Sequence, residues 1–233
     1  MLDATLRHLH RSSLGARCVL RGSLLTALWV PERRAHDIDF LVDGAWTPAT
    51  LTPVVREALG TLPGLEQLDV ITIWAETDFP GVRATLTRAG ETVQADFGWG
   101  EQLAVPPAER EVRGLAWRTV GPEVMFGWKV HSLVEHGPRG RWHAKTMVDL
   151  VLYLRHVAFD RALARRAVEL AFASQRMPLS QLDGFFDDPT WGQSRGSRGK
   201  WKSYAKKAPW VTFSLAEAIA EVRAALLPML RAP

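Results

Sequence analysis

Two aspartates, one residue apart, interrupt an apolar run at residues 37–42, DIDFLV. Carboxylates resist burial unless they are paired or meet a cation. The run reads as a strand, rich in Ile, Phe and Val and closed by Asp43-Gly44. Residues i and i+2 of a strand project to one face, so Asp37 and Asp39 stand together and repel each other unless a cation lies between them. Paired hard oxygens at a strand end suit Mg²⁺, which also takes the phosphates of a substrate. Upstream, Gly22-Ser23 follows the short apolar stretch RCVL (17–20) and opens a helix. A glycine lets backbone approach a ligand closely, and a helix N-terminus offers free N–H groups to a phosphate. Ser23 can cap that helix or donate to the phosphate itself.

The elements that position these residues fall into two halves. Before residue 120, apolar and polar residues alternate at strand spacing in 17–20, 37–42, 65–74, 81–88, 91–98 and 111–117. RAGET supplies a hairpin turn between two of these strands, with Gly90 as the permissive residue. Helices fit 2–13, 23–29 and 48–60, the last opened by Thr47-Pro48. After Gly121-Pro122 the pattern is helical, over about 122–137, 142–157, 160–174, 198–207 and 214–230. The expected fold class is therefore α/β (α+β): an N-terminal domain (1–120) with a mixed β-sheet flanked by helices, followed by a C-terminal helical bundle domain (121–233).

Composition sets the outer limits. The 233 residues are 47% hydrophobic and carry a formal net charge of +4, which describes a well-cored globular protein with a mild basic excess. No apolar run approaches the roughly 20 residues that cross a bilayer, so no membrane partner is expected. The opening MLDATLRHLHRSS lacks the apolar core of a secretion signal. The one cysteine, Cys18, leaves no internal disulfide, and both features lead to the expectation of a cytoplasmic protein. Cys18 itself reads as a small buried hydrophobe beside Val19 and Leu20. His131, His136 and His143 lack a tight ligand spacing and do not read as a zinc site.

The basic excess is concentrated. Residues 191–210, WGQSRGSRGKWKSYAKKAPW, hold Arg195, Arg198, Lys200, Lys202, Lys206 and Lys207 and no acid. Trp191, Trp201, Tyr204 and Trp210 are interleaved among them. Two readings stand side by side: a solvated helix pinned to the core by its tryptophans, or an RNA-contacting segment whose phosphate partners are Arg198, Lys200, Lys202 and Lys206.

A phosphate-holding Gly-Ser turn followed by a strand bearing Asp-x-Asp resembles the DNA polymerase β-like nucleotidyltransferase superfamily. Such a site takes a third carboxylate from a neighbouring strand, for which Asp96 in TVQADFGWG is the leading candidate, with Asp69 and Glu101 as competitors. The second half narrows the resemblance to the AbiEii/AbiGii toxin family, which includes the MenT toxins. FGWKVHSLVEHG supplies Lys129, RGRWHAKTMVDLVLYL supplies Lys145 and Asp149, and the tail ends in LLPML. Two positions depart from the family pattern: Ala35 stands where Ser or Thr is common, although Arg33 keeps its Arg, and Thr146 stands where an Asp often follows the Lys.

The resemblance implies an enzyme that moves NMP from an NTP to an acceptor with release of pyrophosphate. In that scheme Asp37, Asp39 and Asp96 hold two Mg²⁺ ions, Gly22, Ser23, Arg33 and Lys129 bind the nucleotide, and Lys129 and Asp149 complete the catalytic set. Lys129 lies in a largely apolar helix and needs a partner, which is either the triphosphate or Asp149. Arg141, Lys145 and Asp149 recur every four residues and share one helix face. The resemblance further implies a toxin acting on the tRNA 3′ end and blocking aminoacylation, with a cognate antitoxin protein as partner. A small-molecule nucleotidyltransferase of the aminoglycoside type is the alternative, ranked second because its acceptor cleft would favour acids over this basic helix. A non-catalytic nucleotide- or RNA-binding regulator ranks third, since a lapsed site has no physical reason to retain paired charges.

Overall fold

The computed structural model describes residues 1–75, 80–137 and 142–231, and Arg141 lies outside them. The chain divides into two compact units, Met1–Gly121 and Pro122–Pro233.

The first unit is built on a seven-stranded mixed sheet: β1 (Cys18–Arg21), β2 (Asp37–Val42), β3 (Gln67–Ile73), β4 (Gly81–Arg88), β5 (Glu91–Gly98), β6 (Ala108–Val112) and β7 (Leu115–Thr119). The spatial order is β3-β4-β5-β2-β1-β7-β6. The β2–β5 and β1–β7 pairs are parallel and the others antiparallel. Strand alternation sorts the side chains. Leu20, Phe40, Ala84, Ala95 and Phe97 are fully buried on one face, where Phe40 stacks on Phe97 at 5.6 Å and meets Trp117 at 5.2 Å. Helices α1 (Leu2–His10) and α3 (Pro48–Gly60) add Leu6, Leu9, Leu51, Val55 and Leu59 to this core. Each such side chain contributes about 1.5–3 kcal/mol by leaving water. The opposite face receives the residues at odd numbers in β2 and even numbers in β5, which include Asp37, Asp39 and Asp96. Helix α2 (Gly22–Trp29) packs against β1 and β2.

Local chemistry explains the boundaries. Thr47 caps α3 in a reciprocal capping box with Thr50, and Pro48 occupies the first turn, where its missing N–H costs nothing. The β4–β5 turn places Ala89 at φ 50° and Gly90 at φ 75°, the doubly positive pair that matches strand twist in two-residue hairpins. One expected strand is corrected. The run 111–117 is not continuous: Arg113 (φ 55°) and Gly114 (φ 72°) form a second turn of the same type and fold the segment into the β6–β7 hairpin.

The second unit is helical: α4 (Pro122–His131), α5 (Ala144–His156), α6 (Arg161–Ser174), α7 (Asp183–Asp187), α8 (Arg195–Lys207) and α9 (Leu215–Leu230). Helix α4 stops at His131, short of the expected 137, and residues 132–136 continue as turns. Gly127 allows α4 to close on α6, because a Cβ there would lie 2.7 Å from the backbone of Ala167. Phe126, Val130, Val148, Tyr153, Val168 and Phe172 are buried around that crossing. The tryptophans of the basic tract dock it: Trp201 is buried and meets Phe213 at 5.9 Å, and Trp191 is buried against Phe185 and Trp142. Ser194 caps α8 by accepting from the Ser197 N–H, so the helix starts three residues earlier than its composition suggests.

Candidate active site

Gly22 follows β1 and opens α2 in a left-handed conformation (φ 76°), and a Cβ at this position would fall 1.8 Å from Oδ2 of Asp39. The glycine is therefore required both by its backbone angle and by the carboxylate that lies across it. The next residue, Ser23, is buried and donates a short hydrogen bond to Oδ1 of Asp37. Turn and strand are thus interlocked through two adjacent contacts. The first turn of α2 carries no side-chain cap, although Thr26 donates back to the Gly22 carbonyl at 3.1 Å.

Register sets the rest of the site. Arg21 pairs with Asp39 across β1–β2, Asp39 with Asp96 across β2–β5, and Asp96 with Arg83 across β4–β5. Arg83, Asp96, Asp39 and Arg21 therefore form one row over four strands, on the face opposite the core, each about 4.8 Å from the next along the hydrogen-bonding direction. Asp37 lies one pleat further along on the same face. The outer cations hold acids. Arg83 grips Asp96 through a two-pronged pair, Nε to Oδ1 and Nη2 to Oδ2, both 2.7 Å. Arg21 donates to Glu101 at 2.6 Å, with both side chains largely covered. Burial presses against the Arg21 charge, but Glu101, with Asp39 and Asp96 behind it, outweighs that and holds the guanidinium above its ordinary value. The hydrogen bonds to Asp96 raise Arg83 in the same sense, reinforced by the charges of Asp96, Asp39 and Asp37.

The competitors for the third carboxylate separate on topology. Asp69 faces Thr85 in register, Thr85 faces Gln94, and Gln94 faces Asp37. Asp69 is thus three strand spacings from Asp37, roughly 14 Å, too far to share an ion. Glu101 is held by Arg21. Asp96 is the immediate register partner of Asp39, and Arg83 occupies both of its oxygens. Among the described residues no three acid, histidine or cysteine side chains converge on one point. The donor chemistry of Asp37 and Asp39 fits a hard divalent ion. Asp96 offers the same donor chemistry on the neighbouring strand.

The remaining sequence candidates are carried by other elements. Arg33 is half-buried in the segment between α2 and β2, and Ala35 packs against the sheet core. In the second unit, Lys129 of α4 and Asp149 of α5 form an ion pair at 2.8 Å, with Asp149 fully buried and Lys129 one-fifth exposed. Thr146 is buried one turn before Asp149. Arg198, Lys200, Lys202 and Lys206 are exposed along α8. Arg21 and Arg83 were not among the residues singled out from sequence. The signal for Arg83 was present: counting back from the two-residue turn at Ala89-Gly90 pairs residue 83 with residue 96.

Comparison with known proteins gives the family and the fold. Residues 4–220 match the family model "Nucleotidyl transferase AbiEii toxin, Type IV TA system". Among solved structures, JHP933 from Helicobacter pylori is similar at 16% identity and a TM-score of 0.54, covering 99% of this chain and 89% of that one. A candidate nucleotidyltransferase from H. pylori is similar at 16% identity and a TM-score of 0.52, covering 99% of this chain and 92% of that one. At that identity the structural matches show a shared fold. Among curated proteins none matches.

Proposed function

The chain belongs to the AbiEii nucleotidyltransferase toxin family, and on that premise we propose that it transfers NMP from an NTP to the 3′ end of tRNA, in the presence of Mg²⁺, and so blocks aminoacylation. The observation that carries this reading is the interlock of Gly22 and Ser23 with Asp39 and Asp37. It joins a phosphate-binding turn to a pair of metal-type carboxylates on one face of a sheet.

The uncapped first turn of α2, approached over Gly22, binds the triphosphate through backbone N–H groups. Asp37 and Asp39 would hold the ion, and Ser23 keeps Asp37 turned into the site. Bound Mg²⁺ would supply charge neutralisation for the phosphates and a lower pKa for the attacking hydroxyl. The acceptor hydroxyl forms a bond to the α-phosphorus while the bond to the bridging oxygen breaks, and pyrophosphate leaves. The hydroxyl proton passes to a carboxylate, for which Asp96 is the candidate. Lys129, Asp149 and Arg33 enter this proposal on the family pattern, and the exposed cations of α8 provide phosphate contacts for RNA. The cognate antitoxin is the partner that a type IV toxin family implies.

The test of the acceptor is direct. The protein is incubated with total tRNA, Mg²⁺ and each α-labelled NTP in turn, and the RNA is resolved on a gel. Label at the tRNA 3′ end supports the proposal, and label on small molecules alone, or on none, rejects tRNA as the acceptor.

A further inference from the structure

We propose that Arg83 is a resident cation for the candidate active site: a positioning residue that holds Asp96 beside Asp39 and that a divalent ion must displace to gain its third carboxylate. The inference rests on the ion-binding reading of Asp37 and Asp39 given above.

Three carboxylates on one sheet face repel one another, and Asp39 and Asp96 are immediate register partners. The protein neutralises that crowding with its own groups. Arg83 sits at the end of the row, on β4, and its planar fork takes both oxygens of Asp96 at 2.7 Å. A two-pronged arginine pair of this kind fixes orientation as well as charge. Asp96 is 13% exposed and Arg83 32% exposed, so the guanidinium is the member of the pair with the more open path to solvent. Arg83 shares its cross-strand row with Asp39, two strand spacings away, and the charges of Asp39 and Asp37 act on it together with that of Asp96. A divalent ion held by Asp96 would compete with the guanidinium for the same lone pairs, and the two like charges would repel each other. Both effects have the same sign: Arg83 weakens ion binding. Its role is to hold Asp96 oriented and shielded until an ion arrives, and then to yield.

The test is a Mn²⁺ titration of the full chain, followed by calorimetry and by melting temperature, with no substrate present. Arg83→Gln is expected to tighten Mn²⁺ binding about tenfold, as the loss of a competing charge-assisted pair requires. Arg83→Lys, which keeps charge without the fork, is expected to fall between Arg83→Gln and the parent, and it also serves if the glutamine variant folds poorly. Without metal, Arg83→Gln should melt below the parent, and saturating Mn²⁺ should recover most of that difference. In an Asp96→Asn background, Arg83→Gln should tighten Mn²⁺ binding by less than it does in the parent, because only the charge repulsion is left to relieve. Unchanged or weaker Mn²⁺ binding by both Arg83 variants, with binding still lost in Asp39→Asn, overturns this inference and leaves the functional reading standing. Mn²⁺ binding that is absent in the parent, or indifferent to Asp39→Asn, overturns both.

Discussion

Oδ2 of Asp39 lies where the Cβ of any residue but glycine would stand at position 22, with a separation of 1.8 Å from that built atom. Gly22→Ala must therefore push Asp39 aside and also strain a backbone held at φ 76°. The left-handed conformation alone costs roughly 1–2 kcal/mol for a residue with a side chain. Transfer activity is expected to fall at least a hundredfold, with a modest drop in melting temperature. Gly199→Ala is the contrast. It is a helix-interior glycine with nothing within 4 Å of an added Cβ, and replacing it should raise stability by up to about 1 kcal/mol.

Ser23 presents a second expectation at the same turn. Its hydroxyl donates to Asp37, so Ser23→Ala removes that hydrogen bond while leaving both Asp37 and Asp39 in the sequence. Stability should change by about 1 kcal/mol, the usual net worth of one hydrogen bond. The apparent Mg²⁺ requirement should rise several-fold, which a titration of activity against Mg²⁺ reads directly.

Lys129 and Asp149 make a different prediction, because Asp149 is fully buried. Removing the lysine takes away the ion-pair partner of a fully buried carboxylate, and breaking such a pair costs about 3–5 kcal/mol. Lys129→Ala is expected to melt clearly below the parent. Rates measured at a temperature where the variant remains folded then separate the catalytic share: a further large loss of transfer assigns Lys129 to the reaction, and retained specific activity confines it to structure.

Helix α8 tests the acceptor. Its exposed cations should release counterions from RNA phosphates, so tRNA affinity should fall steeply with salt. Neutralising Arg198, Lys202 and Lys206 together should flatten the slope of log affinity against log salt by about 0.7–0.9 per lost contact. Melting temperature should hold, since the helix is docked by Trp201 and Trp191 rather than by these side chains. A triple variant that binds tRNA like the parent across the salt range would identify α8 as a solvated face.

How much of this was legible beforehand depends on whether a residue acts through its neighbours in sequence or in space. DIDFLV announced its strand and its two aspartates because alternation is local. Thr47-Pro48 announced a helix start for the same reason. Arg113-Gly114 hid a turn inside an apparently continuous strand, because an arginine at positive φ carries no compositional mark. Gly196 and Gly199 concealed the first turn of α8, whose real start is set by the Ser194 cap. The neutralisation of Asp96 by Arg83 depends on register across a hairpin, so it is invisible to residue type and visible only once the turn at Ala89-Gly90 fixes the count. Asp69 looked like a competitor in sequence and is removed by its place on an edge strand.

The account stands on Asp37 and Asp39 as the paired carboxylates of nucleotidyl transfer. The most direct measurement compares the parent with Asp39→Asn and Asp37→Asn for transfer of α-labelled NMP to tRNA at saturating Mg²⁺, with melting curves taken alongside. Both variants are expected to melt within a few degrees of the parent and to transfer at least a thousandfold more slowly, since removing either charge removes an ion ligand while relieving a like-charge contact. Near-parental transfer by either variant, with its fold intact, would contradict the assignment of the site.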